Sequence, residues 1–126
     1  MLDLEQTRIG VIGLGYVGLP LAVEFGRRFA VTGFDLNPAR IAELRAGRDS
    51  SLEVSPEELR AAARLTCTTD ESELVDCNVY VVTVPTPIDE FKNPDLRPLE
   101  SASRTLGRVL RRGDVAIFES TVYPGC

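Results

Sequence analysis

The residues from Arg8 to Gly18 restrict this chain to few folds. Ile9-Gly10-Val11-Ile12 is almost continuously apolar, as a strand covered on both faces must be. Gly13-Leu14-Gly15-Tyr16-Val17-Gly18 follows at once, a G-x-G-x-x-G run that opens a helix from about Val17. Asp35 stands at the end of the next apolar run, about 20 residues further on. Strand, glycine turn, helix and acid in that register are the pattern of a turn that receives a dinucleotide.

The remaining pattern extends the same theme. Leu21, Ala22, Phe25 and Phe29 recur at helical spacing, with Pro20 in the first turn. A second strand spans residues 30–35. Asn37-Pro38 caps a helix that buries Ile41 and Leu44 and that Gly47 closes. Ser55-Pro56-Glu57-Glu58 is a capping box for a short helix. Strands are expected at 65–68, 78–84 and 114–120. Asp70 caps a brief helix running to about Val75, and a longer helix carries Leu99, Ala102, Leu106, Val109 and Leu110. This alternation predicts an α/β fold of Rossmann type: a parallel sheet with helices on both faces, in one domain over residues 1–126. Right-handed crossovers favour strand order 3-2-1-4-5, with a crevice at the carboxyl ends of the first and fourth strands.

Each glycine has a separate task. Gly13 permits the tight exit from the strand, Gly15 lets the backbone approach a pyrophosphate, and Gly18 lets the helix pack closely on the sheet. The helix N-terminus then offers free N–H groups and a favourable dipole to the anion. Asp35 accepts hydrogen bonds from the adenosine ribose and would repel a 2′-phosphate, so NAD is expected over NADP. Arg40 leaves two readings open: a receptor for that phosphate, or a solvated helix residue. The loops after the fourth and fifth strands, residues 83–87 and 119–125, reach the same crevice. Their hydroxyls either touch a ligand or satisfy loop backbone.

Composition narrows the alternatives. A net charge of −5 argues against a nucleic-acid backbone as partner, and the pairs Arg27-Arg28 and Arg111-Arg112 fit solvated helix ends. Three cysteines without a histidine argue against a structural zinc site, and Cys67 and Cys77 fit small buried thiols. No apolar run approaches the ~20 residues of a membrane span, and no signal peptide is evident. A cytoplasmic protein without membrane partners is expected.

The stretch Ile9 to Pro20, then Gly33-Phe34-Asp35, Val84-Pro85-Thr86-Pro87 and Ser120-Thr121, resembles the UDP-glucose/GDP-mannose dehydrogenases. The segments 85–90, 93–96 and 119–125 look most like the branch acting on UDP-N-acetylhexosamines. The resemblance implies oxidation of a UDP-sugar C6 hydroxyl to a carboxylate with two NAD per turn, and a full-length homodimer. It gives Tyr16 and Val17 backbone contacts to the diphosphate and puts Asp35 and Arg40 on the ribose side. It also assigns Thr86 and Thr121 to the cofactor, with Thr121 near the nicotinamide placing a catalytic water. The family's thiol nucleophile lies in a G-G-x-C segment, which Tyr123-Pro124-Gly125-Cys126 is not. The expected protein is therefore a cofactor domain that binds NAD without catalysing alone. A dinucleotide sensor, or a dehydrogenase of the 3-hydroxyacid or 6-phosphogluconate type, would share the glycine loop.

Overall fold

The computed structural model describes residues 6–15, 17–50, 52–83 and 96–119. The elements are β1 (Arg8–Ile12), α1 (Gly18–Gly26), β2 (Ala30–Phe34), α2 (Pro38–Arg45) and α3 (Pro56–Ala61). They continue with β3 (Leu65–Thr68), a 3-10 turn at Glu71–Leu74, β4 (Val79–Val82), α4 (Arg97–Val109) and β5 (Val115–Phe118). The strands form one parallel sheet in the expected order β3-β2-β1-β4-β5. Tyr16, Thr86, Thr121 and Cys126 lie outside the described residues.

Alternate residues of β1, β2 and β4 feed two cores, which is why these strands read as nearly continuous apolar runs. Ile9, Val11, Val31 and Val81 pack with Leu19, Ala22 and Val23 of α1 and with Ile41 and Leu44 of α2. On the opposite face Ile12, Phe34, Tyr80 and Val82 pack with Leu74 and with Ala102, Leu106 and Val109 of α4. Tyr80 is fully buried and its hydroxyl donates to the Leu74 carbonyl at 2.6 Å, tying the 3-10 turn to β4. That burial pushes its pKa up to about 12.

The caps form as the sequence predicts. The Asn37 side chain accepts from the backbone N–H groups of Ala39 and Arg40, with Pro38 in the first turn of α2. Ser55 and Glu58 make a reciprocal capping box, and the Asp70 carboxylate accepts from Ser72 N–H. Leu110 departs from expectation: it is the C-cap of α4, extended and 41% exposed, because the helix has ended before its side chain can turn inward. The outermost strand β5 also remains largely exposed, Phe118 by 51%.

Candidate dinucleotide site

The crevice lies at the carboxyl ends of β1 and β2 against α4, beside the point between β1 and β4 where the sheet order reverses. Its walls are Ile12 to Gly15, Phe34 to Leu36, and Pro98, Ser101, Ala102 and Thr105 of α4, around a cavity of about 320 Å³. That volume lies at the lower end of the range for small-molecule sites, roughly 300–1,000 Å³.

The start of the glycine loop is anchored at Gly13. Gly13 has φ of +100°, a left-handed conformation that only glycine adopts without strain. Its N–H donates to Phe34 O at 2.8 Å, and its carbonyl accepts from the Thr83 hydroxyl at 2.7 Å. Thr83 is buried, so this hydroxyl serves the loop backbone, one of the two roles open in the sequence. A Cβ on Gly18 would lie 1.7 Å from Gly13 O, whereas one on Gly15 would meet no described residue within 4 Å. Gly18 is thus required by packing, and Gly15 stands open to whatever approaches the loop.

Asp35 has a double task. Its Oδ2 accepts from Leu14 N–H at 2.9 Å and its Oδ1 from Asn37 N–H at 3.0 Å. Each carboxylate oxygen keeps a lone pair for a further donor, such as a ribose hydroxyl in the crevice that Asp35 lines. Leu36, 66% exposed beside it, offers an apolar surface for a flat base. Val17 is the N-cap of α1, which has no side-chain cap and no acid in its first turn among the described residues. That end of the helix is available to an anion.

Arg40 is not among the residues that line the crevice. Its Nε donates to Leu14 O at 2.9 Å, and its Nη1 contacts Glu43 at 2.7 Å and Asp49 at 2.6 Å. Burial works against the charge, but the hydrogen bonds it donates to Asp49 and Glu43 outweigh it and hold the guanidinium pKa above its ordinary value. Asp49, Leu36, Ser101 and Thr105 are not among the residues that the sequence motifs pick out. Leu36 carried a signal, an apolar residue in an otherwise polar turn after the acid. The α4 residues carried only a helical spacing, which does not say which strand ends they overhang. No cluster of histidine, cysteine or acidic residues suited to a metal occurs among the described residues.

A glycine turn entering a helix at the sheet's switch point, with an acid at the end of β2, defines a dinucleotide-binding Rossmann domain. Residues 7–126 match the UDP-glucose/GDP-mannose dehydrogenase family, NAD binding domain. The chain belongs to this family, of which it is the NAD-binding domain.

It is 58% identical over 97% of its length to a UDP-N-acetyl-D-glucosamine 6-dehydrogenase of Pseudomonas aeruginosa, covering 29% of that protein. It is 55% identical over its full length to the enzyme of the same name from Salmonella typhi, covering 30%. The solved structure of the UDP-D-ManNAc dehydrogenase from Pyrococcus horikoshii superposes with a TM-score of 0.81 at 35% identity. That match covers 94% of this chain and 29% of the other. The chain therefore spans about 30% of the length of the curated relatives it matches.

Proposed function

We propose that the chain holds NAD with its diphosphate over Gly15 and the first turn of α1, its adenosine ribose on Asp35, and its adenine between Leu36 and α4. The observation that carries this reading is the Asp35 carboxylate, fixed by Leu14 N–H at the mouth of the crevice with lone pairs left over. By resemblance, Tyr16 and Val17 add backbone contacts to the diphosphate, Thr86 contacts the cofactor, and Thr121 lies near the nicotinamide. Thr121 there positions a water.

The enzyme to which this domain contributes oxidises the C6 hydroxyl of a UDP-N-acetylhexosamine to the carboxylate. The names of the two relatives at 58% and 55% identity favour UDP-N-acetylglucosamine among these sugars. Bound NAD supplies the hydride acceptor. The chain's own residues bind and orient that acceptor, and the acid-forming half of the reaction needs a thiol nucleophile held beside a base. None of Cys67, Cys77 and Cys126 stands in a G-G-x-C segment, and Cys67 is buried with its pKa pushed up to about 11 by desolvation. Binding without turnover is the property of the 126-residue chain.

The full-length enzyme works in the cytoplasm as a homodimer. Free buried thiols at Cys67 and Cys77 suit a reducing compartment, and no described helix is long and apolar enough to cross a membrane.

Calorimetric titration of the chain with NAD and NADP, followed by an NADH absorbance assay with UDP-N-acetylglucosamine, tests the proposal. Saturable NAD binding, weaker NADP binding and no NADH are expected. Absence of NAD binding removes the site, and sugar-dependent NADH formation removes the division of labour.

A further inference from the structure

The Arg40 cluster raises a question that the crevice itself does not answer. An arginine five residues beyond the ribose-binding acid is well placed to welcome a 2′-phosphate, and would then favour NADP. Here the guanidinium points under the loop instead. Its Nε is spent on Leu14 O and its Nη1 on Glu43 and Asp49. Its Nη2 is buried and has no partner among the described residues. The side chain is only 12% exposed.

Asp49 is the anchor of this arrangement. Its side chain is wholly buried, its Oδ1 meets Arg40 Nη1 at 2.6 Å, and its Oδ2 accepts from Glu53 and Val54 N–H at 2.9 and 3.0 Å. The backbone bonds fix the carboxylate, and the fixed carboxylate fixes the arginine. Leu14 is thereby gripped at both ends of its backbone, by Asp35 at N–H and by Arg40 at the carbonyl. Two carboxylates, Glu43 and Asp49, hold this one guanidinium, while Asp35 binds the N–H of the residue whose carbonyl the guanidinium holds. The arginine is thus already paired with two carboxylates before any dinucleotide phosphate could claim it.

We propose that Asp49 is a specificity-determining positioning residue: by pinning Arg40 against the Leu14 carbonyl it withholds that charge from an adenosine 2′-phosphate and sets the preference for NAD over NADP. This rests on the reading that the dinucleotide binds across the glycine loop with its ribose at Asp35. Asp49 touches neither dinucleotide and acts only through Arg40.

The test is the ratio of Kd for NADP to Kd for NAD in the 126-residue chain. It is measured for wild type, Asp49→Asn, Glu43→Gln, Arg40→Ala and the Asp49→Asn/Arg40→Ala double variant, each first checked for a cooperative melt. Asp49→Asn keeps the side-chain shape and removes the charge. The ratio is expected to fall by about tenfold in Asp49→Asn and by a smaller factor in Glu43→Gln. In the Arg40→Ala background, Asp49→Asn should leave the ratio unchanged, since the effect runs through the arginine. A merely structural role for Asp49 weakens both dinucleotides together and leaves the ratio where it was.

Should Asp49→Asn fail to melt cooperatively, Glu43→Gln decides, because Glu43 holds the same guanidinium from the solvent side. An unchanged ratio in the folded variants, with NAD still bound, overturns the inference alone. Failure of the wild-type chain to bind NAD overturns the underlying reading and the inference with it.

Discussion

Two glycines three residues apart should fail in opposite ways. A Cβ built on Gly18 lies 1.7 Å from Gly13 O, 2.8 Å from Gly13 C and 2.3 Å from Thr83 Oγ1. Bringing the closest contact out to 3.0 Å requires a displacement of about 1.3 Å between α1 and the end of β1. Neither side yields easily, because Gly13 is bonded at N–H to Phe34 O and at its carbonyl to Thr83. Overpacking of flexible side chains costs about 1–3 kcal/mol, and here backbone meets backbone. Gly18→Ala should therefore lose about 3 kcal/mol or more of a total that is ~5–15 kcal/mol for a domain of this kind.

Gly15→Ala meets no atom of the described residues and should keep wild-type stability to within about 1 kcal/mol. Its methyl would stand where the diphosphate approaches, so NAD affinity should fall at least ~10-fold, or about 1.4 kcal/mol. Urea unfolding gives the first quantity and calorimetric titration the second. A Gly18→Ala protein within 1 kcal/mol of wild type would refute the packing argument. A Gly15→Ala protein that binds NAD normally would refute the placement of the diphosphate.

Asp35→Ala should weaken NAD binding by roughly 10- to 100-fold and, by leaving Leu14 N–H and Asn37 N–H without their acceptor, lower stability by about 1–2 kcal/mol. Calorimetry and urea unfolding on one preparation check both parts, and unchanged affinity removes Asp35 from the site. At alkaline pH, Tyr80 contributes through its raised pKa. The folded protein keeps the phenol neutral up to about pH 12, while the unfolded chain releases the proton near 10. Stability from this group is therefore complete below pH ~10 and is lost as pH rises to about 12, by roughly 2–3 kcal/mol. Tyr80→Phe should be less stable by about 1 kcal/mol at neutral pH and show a shallower alkaline decline. Equal declines in the two proteins would contradict the assignment.

The parts of the site legible in the sequence are those that local rules dictate. Gly13 and Gly18 are visible because a strand that turns at once into a helix leaves no room for other residues. Asn37 and Ser55 are visible because a cap precedes its helix at fixed spacing. Asp49 was not visible, since its partner Arg40 lies on a different element and an ion pair across a loop leaves no periodic trace. Arg40 itself was legible as a charge near the ribose acid, but not as a clamp turned inward. Leu110 was misplaced because the apolar spacing of α4 continues one residue past the helix. Whether Thr83 faced a ligand or the backbone depended on β1 and β4 being neighbours, a fact of topology that no local window contains.

The exposed face of β5 divides the sheet into a finished side and an adhesive one. Val115, Ile117 and Phe118 meet solvent while β1, β2 and β4 are sealed on both faces, and the described walls of the crevice draw on nothing beyond Thr105. Left uncovered, the same strip is the part of the molecule most prone to join a neighbour. For this chain, concentration-dependent association should start at that edge, where Val115, Ile117 and Phe118 are exposed.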